Sequence, residues 1–452
     1  MTGAEIRAAV SLAAIYWFRM LGLFMILPVF SVYARSLPDA TPVLTGLAIS
    51  AYGLTQALFQ IPFGLWSDRF GRRPLIVIGL LLFAAGSVWA ALADSIHGII
   101  AGRALQGAGA VAGVVMALAA DLTREEHRTK AMALIGVSIG ISFAVSMVAG
   151  PVLSGWVGVR GIFWIVAGLA LLGIVVLFTA VPSPGVARFH RDTEAQPARF
   201  LSVLTDPELL RLDLGIFSLH AILTATFVVL PLVLRDQLQM ETTAHWKIYL
   251  PVFVLSMLSM VPFVLVAEKR RKMKPVFLLF IALVSGSDLG LVLLDTDALA
   301  IGALLYVFFT GFNLLEAVLP SLVSKVAPGD LKGTAMGIYS TSQFLGAFAG
   351  GAGAGWIHGR YGIPAVFLFC TGIAVIWFLA AVWMKPPRHL SSLLLRIGRI
   401  SPETATEISR RLGDVPGIAE AVVVPEDGVA YLKIERERLD RARLEAALNQ
   451  GG

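Results

Sequence analysis

From residue 8 to residue 385 the chain is a succession of apolar runs, each about 20 residues long and so able to cross about 30 Å of hydrocarbon. Twelve can be counted: near 8–34, 43–66, 74–94, 98–121, 131–155, 161–182, 209–234, 247–267, 275–294, 299–325, 334–357 and 363–385. Charged residues make up only 15% of the chain, where a soluble domain carries about 25%. The first run exceeds a signal-peptide apolar region and lacks a clear cleavage site, so it reads as retained. These features predict an all-α membrane protein with twelve transmembrane helices.

One pattern is written twice, about 200 residues apart. Residues 62–74 read PFGLWSDRFGRRP and residues 262–275 read PFVLVAEKRRKMKP. In each, an apolar helix ends in an acid, passes through a tight basic turn and re-enters an apolar helix at Pro. Ala131-Met132 recurs as Ala335-Met336, and Gly155-Trp156 as Gly355-Trp356. The period is far too long for a solenoid. Repeated halves of a membrane protein mark secondary transporters, whose substrate path runs between the halves. The expected organisation is a six-helix half over 1–182, a linker over 183–208 and a pseudo-symmetric second half over 209–385.

Loop charge sets orientation. One side of the expected topology carries 18 Lys and Arg, whereas the other carries five: Arg35, Arg160, Arg235, Lys247 and Arg360. The positive-inside rule then places the N-terminus, the linker and the C-terminal tail in the cytoplasm, with the chain in the cell (inner) membrane. The net charge of +6 follows from that asymmetry, and no basic face is left to bind nucleic acid. The single cysteine, Cys370, excludes an intrachain disulfide and a CxxC metal site. The seven histidines show no metal-ligand spacing.

After Pro386-Pro387 the character changes: residues 388–452 hold ten Lys or Arg and ten Asp or Glu. Residues 393–397 read as a strand. Ser401 caps a helix with Pro402 at its first position and Glu403 in its first turn. Ala405, Ile408 and Leu412 form its apolar stripe, and Gly413 stops it. Residues 422–424 and the alternating Ala430, Leu432 and Ile434 predict a hairpin through the turn 425–428. A last helix is expected near 439–449. The order β-α-β-β-α suggests a ferredoxin-like α+β domain without its final strand, and about 60 residues make a marginal core alone.

Three motifs bear on mechanism. Gly64-x-x-Ser67-Asp68-Arg69-x-Gly71-Arg72-Arg73 combines glycines suited to close approach and a tight turn with an acid suited to a helix N-terminus. It resembles the loop between the second and third helices of the major facilitator superfamily, which implies a cytoplasmic latch holding the outward-open state; its arginines would meet acids or lipid phosphates. Arg103-x-x-Gln106-Gly107-x-Gly109 resembles that superfamily's fourth-helix motif, where the arginine is linked to proton coupling. Gly150-Pro151-x-x-x-Gly155 resembles part of the fifth-helix motif of antiporters, with Ser146 and Ser154 where glycine is often found. The glycines at 346, 350, 351, 353 and 355 are assigned to helix packing. No GxxxxGK[ST] loop or other cofactor motif occurs, so energy is expected from an ion gradient.

Charges inside a bilayer are costly and are functional candidates. Arg19 lies in the first span, Arg103 in the fourth, His220 in the seventh, Asp288 in the ninth and Glu316 in the tenth beside Asn313. Deep cations belong to the first half and deep acids to the second. Glu316 is the leading proton site, because burial penalises the charged carboxylate relative to the neutral acid; Arg103, Arg19, Asp288 and His220 complete the proton-coupling set. Asn313 and Gln106 are the candidate substrate contacts.

The stretch Arg19 to Met25, Phe312-Asn313-x-x-Glu316-Ala317-x-x-Pro320-Ser321 and the α+β tail resemble the YajR-type subgroup of the superfamily, regarded as proton-driven efflux proteins with a ferredoxin-like cytoplasmic domain. The resemblance implies a proton-coupled exporter of small amphipathic or hydrophobic compounds working by alternating access. A proton symporter or facilitator for uptake, and a non-transporting sensor signalling through the tail, are the alternatives. An integral-membrane enzyme is disfavoured, since no paired carboxylates, metal cluster or nucleophile elbow is visible. A copper-delivery tail would need the CxxC that is missing.

Overall fold

A computed structural model describes residues 1–182, 200–293, 297–328, 331–385, 391–398, 401–425, 428–435, 438–440, 443–444 and 446. The first half contains α1 (Gly3–Phe24), α2 (Leu27–Ala34), α3 (Pro42–Phe70), α4 (Arg72–Leu92), α5 (Ile96–Ala108), α6 (Ala112–Asp121) and α7 (Glu125–Thr179). After a short α8 (Phe200–Leu204), the second half contains α9 (Pro207–Leu232), α10 (Trp246–Lys269), α11 (Met273–Leu293), α12 (Ala298–Val326), α13 (Lys332–Tyr361) and α14 (Ile363–Val382). Residues 183–199 of the expected linker lie outside the described residues, and α8 falls within its last part.

Among the described residues, ten helical stretches are long and apolar enough to cross a membrane. One of them, Lys130–Thr179, lies within the 55-residue α7, which carries two expected spans divided at Gly158, where φ is 68° and ψ is 175°. That backbone region is open essentially to glycine alone. The 30-residue α13, diluted by its glycines, is the remaining span. The expected twelve are therefore present. Trp156 and Trp356 are 79% and 57% exposed, and exposed Leu and Val side chains cover the outer helix faces, as lipid contact requires.

Two spans are interrupted where function would place a site. The first breaks between α1 and α2, with Pro28 in the first turn of α2. The fourth breaks between α5 and α6 around Gly109. Each break releases backbone carbonyls that side chains can capture. Other ends are capped conventionally: Thr41 Oγ1 accepts from Leu44 N at 3.2 Å and Ser95 Oγ from Gly98 N at 3.2 Å. Glu5 closes a capping box with Thr2 and also accepts from Arg124 Nε at 2.9 Å, tying the start of α1 to the start of α7.

The chain divides into two compact units: Met1–Phe189, Arg211–Leu319 and Gly337–Met384 form one, and His190–Leu210, Pro320–Met336 and Lys385–Gly452 the other. The first contains most of both helical halves. In the second, β1 (Ser391–Arg396), β2 (Ile418–Val424) and β3 (Val429–Ile434) form a sheet of order β1-β3-β2, with α15 (Pro402–Gly413) between β1 and β2 in the chain. Both pairings are antiparallel, with Leu393 opposite Leu432 and Val424 opposite Val429. A ferredoxin-like sheet lacking its last strand has this order. Ser401 caps α15 by accepting from Thr404 N at 3.2 Å. Ile408 and Leu412 of α15 pack on Ala430, Leu432 and Ile434. Pro386-Pro387 and most of the expected last helix lie outside the described residues. Lys433, 7% exposed, pairs with Glu420 at 2.9 Å and donates to the Val326 carbonyl at 3.2 Å, at the end of α12.

Candidate functional site

At one end of the bundle the loop from α3 to α4 turns on Gly71, whose φ of 94° is left-handed. The turn returns Arg72 beside its own helix end. Arg72 Nη1 donates to Ser67 Oγ at 2.7 Å and pairs with Asp68, while its Nε donates to Asp121 Oδ2 at 3.3 Å. The Arg72 and Asp121 side chains are only 10% and 5% exposed. Arg73 donates to the Val181 carbonyl at 2.5 Å, fastening the loop to the segment after α7. Arg69 is exposed over the Phe70 ring. Gly64 faces no neighbour within 4 Å, so in this state its missing side chain admits no close helix. Among the described residues, Asp68 pairs with the Arg72 side chain.

Contacts between the halves gather at the other end. Arg35 pairs with Asp236 at 2.7 Å, and Ser31 Oγ donates to the Phe227 carbonyl at 3.2 Å. Glycines make the central seam: Gly46 of α3 lies against Gly351 and Gly355 of α13, and Gly53 against Phe344 and Phe348. On its other side α13 lays Gly346 and Gly350 on the backbone of Phe217 and Ala221 in α9. The glycine-rich helix is thus a wedge between α3 and α9, as packing by small residues allows. Phe143 of α7 meets Phe253 at 5.2 Å and Phe312 at 5.9 Å, continuing the closure inward.

The fifth-helix residues serve the break in the first span. Ser146 Oγ donates to the Leu21 carbonyl at 3.3 Å, and Gly150 abuts the Met25 carbonyl. A side chain at 150 would strike Pro28 at 2.9 Å. Pro151 lies within α7, and Gly155 faces Thr243 across the halves.

The deep charges form two separate groups. In the first half, Arg19 and Arg103 are 2% and 1% exposed and stand either side of Tyr52, 5.8 and 5.3 Å from its ring centroid. Arg19 Nη2 donates to Tyr52 Oη at 2.6 Å, to Gln56 Oε1 at 2.5 Å and to the Gly109 carbonyl at 3.3 Å. The break in the fourth span thus supplies an acceptor. Gln56 in turn donates to Gln60 at 2.7 Å. Arg103 donates to Gln106 at 2.9 Å and to the carbonyls of Ala48 and Ile49. Gln106, fully buried, passes its amide to Ser87 at 2.7 Å; the candidate substrate contact is a bracing residue here.

In the second half, Gln343 of α13 bridges His220 and Glu316, with its Nε2 2.8 Å from His220 Nε2 and 3.2 Å from Glu316 Oε1. His220 Nδ1 is 3.8 Å from Glu316 Oε2. The Glu316 side chain remains 33% exposed and meets no Lys or Arg among the described residues. Asn313 donates to Ser256 at 3.1 Å. Asp288 stands apart: it is fully buried, and neither carboxylate oxygen has a hydrogen-bond partner among the described residues. No group of His, Cys, Asp and Glu that could hold a metal occurs among the described residues.

Several participants escaped the sequence reading. Tyr52, Gln56 and Gln60 recur at spacings of four and so mark one polar face of α3, a legible signal. Asp121 and Gln343 offered no comparable pattern, since their partners lie 49 and 27 residues away.

The family model for the Major Facilitator Superfamily matches residues 12–351. The inner membrane transport protein YajR of Escherichia coli (strain K12) is 47% identical over 451 residues, covering 100% of this chain and 99% of that protein. The multidrug resistance protein MdtH of Aeromonas salmonicida (strain A449) is 25% identical over 380 residues, covering 81% of this chain and 93% of that one. A solved bacterial homologue of the human lysosomal transporter Spinster, inward-facing and occupied, superposes with a TM-score of 0.72 at 12% identity, covering 85% of this chain and 98% of that one. With its repeated halves, its braced Arg72 turn and these matches, the chain belongs to the major facilitator superfamily and is a membrane transporter.

Proposed function

We propose that the protein is a proton-coupled exporter of small amphipathic or hydrophobic compounds in the cytoplasmic (inner) membrane. The observation that carries the coupling is Glu316: a carboxylate in the middle of a span, part-exposed, held by Gln343 beside His220, without a Lys or Arg partner among the described residues. A permanent ion pair would lock such a group in one charge state, whereas neutral partners let it gain and lose a proton. Arg103 tunes the field from the opposite half, and Asp288 and His220 are secondary proton sites. Export is favoured by the likeness to a protein named for multidrug resistance and by the Ser146 and Gly150 packing against the broken first span.

Loop charge supports a cytoplasmic position for the Arg72 end, the linker and the tail. The seam of contacts at the Arg35 end then supports reading the outer face as closed and the arrangement as inward-facing. The Asp68–Arg72–Asp121 cluster is the latch that steadies the cytoplasmic face when the cycle reverses, and residues 388–452 form a regulatory module outside the path.

The test is ionophore-sensitive efflux of amphipathic dyes from cells overexpressing the chain, repeated with Glu316→Gln. The variant should lose proton-driven flux while retaining binding. Accumulation against a gradient by Glu316→Gln would move the proton site elsewhere, with Asp288 and His220 next.

A further inference from the structure

We propose that Arg19 is the receptor for an anionic group, and that the substrates are therefore amphipathic organic anions: an apolar body bearing a carboxylate, sulfonate or phosphate. The inference rests on the transporter reading and names the substrate class of its central path.

Both deep arginines of the first half are desolvated, yet they differ. Arg103 has partners on all three guanidinium nitrogens, two of them backbone carbonyls, and so its charge is spread into the scaffold. Arg19 has partners on Nη2 alone. Its Nε and Nη1 are buried without any hydrogen-bond partner, leaving three of the five N–H donors of a guanidinium unused. No Asp or Glu among the described residues pairs with it. A charge this buried is tolerated only when it is paired for part of the working cycle.

The surroundings hold that donor edge in place. Tyr52, pinned against Arg103, and Gln56, held by Gln60, grip Nη2 and fix the guanidinium plane. A preorganised planar fork suits oxyanions better than a mobile ammonium does. Farther along α1, Phe24 meets Phe143 at 4.9 Å, and Phe143 leads to Phe312, whose ring is 6.0 Å from His220. An anion on Arg19 would lay its apolar body along these rings.

The test uses the full-length protein in nanodiscs of zwitterionic lipid and three probes that share one body: 4-phenylbutyrate, 4-phenylbutanol and 4-phenylbutylammonium. Equilibrium binding, corrected for empty discs, should favour the carboxylate over the alcohol by roughly tenfold or more, with the ammonium weakest. Arg19→Gln should weaken the carboxylate roughly thirtyfold or more and leave the alcohol nearly unchanged; Arg19→Lys should retain part of the preference. If Arg19→Gln does not fold, the ranking on the unmodified protein still decides. A carboxylate that binds no better than the other two probes, or equally well to a folded Arg19→Gln, overturns the proposal. Arg19-dependent carboxylate binding without flux in proteoliposomes would support this site while refuting the transport reading. Flux of the ammonium without carboxylate binding would do the reverse.

Discussion

Replacing Gly46 with Val tests whether the glycine seam holds this end of the bundle closed. A Cβ at 46 would press hardest on the Gly351 carbonyl oxygen and would also lie 2.8 Å from Gly355 Cα, against 3.4 Å where ordinary contact begins. The atoms it meets are backbone, so no side chain can swing away. The helices α3 and α13 must therefore part by about 1 Å, or the chain must absorb an overpacking penalty of about 1–3 kcal/mol. A state in which the halves are separated here escapes that penalty. At 1.4 kcal/mol per factor of ten, the balance should move roughly 5- to 150-fold towards the separated state. The assay is maleimide labelling of Ser50→Cys, added from the Arg35 side. Ser50 is 1% exposed and touches Gly351, and the native Cys370 is buried, so the background is low. Labelling should accelerate several-fold when Gly46→Val is added, with the melting temperature lowered by a few degrees at most. Unchanged labelling in a protein of unchanged stability would show that the seam does not govern the closure.

Other expectations follow from single contacts. Asp121→Asn should depress transport at least as much as Asp68→Asn, because Asp121 is the more buried partner of Arg72; flux and cysteine accessibility in both variants check this, and wild-type values in both would remove the latch. Gly158→Ala meets no neighbour within 4 Å and so should lose about 1–3 kcal/mol from backbone strain alone, whereas Gly136→Ala, equally uncrowded but helical, should be neutral or slightly stabilising in the same melting assay. Deleting residues 388–452 should leave a chain that inserts and retains basal flux, with only its rate or its response to ionic strength altered; loss of insertion would make the tail structural. Lys433→Met should loosen the tail from the end of α12 by removing the bond to the Val326 carbonyl, read as faster proteolysis of the tail with transport retained.

Local order was legible wherever one side chain or one run decides the outcome. Hydrocarbon length set the twelve spans, the 200-residue echo set the halves, and Gly71 announced a turn that the structure makes at positive φ. In the tail, the Ser401 cap and the alternation through Ala430, Leu432 and Ile434 specified α15 and β3 before any coordinates. These signals are local because each reports a backbone need met within a few residues.

Partner choice was not legible, because it depends on which helices end up adjacent. Gln106 carried a motif suited to a binding role, yet packing turned it inward onto Arg103 and Ser87. Gln343 carried no motif and became the bridge between His220 and Glu316. The same applies to the two deep arginines, which the sequence presented as equivalent buried charges. Their difference arises only in three dimensions: Arg103 finds carbonyls of α3, while Arg19 keeps two nitrogens empty-handed beside Tyr52. A sequence by itself determines that such charges must lie inside the membrane, through the length and apolarity of the runs that carry them. Tertiary packing alone decides which of them is satisfied, since a hydrogen bond needs its acceptor within about 3 Å and that acceptor comes from another helix.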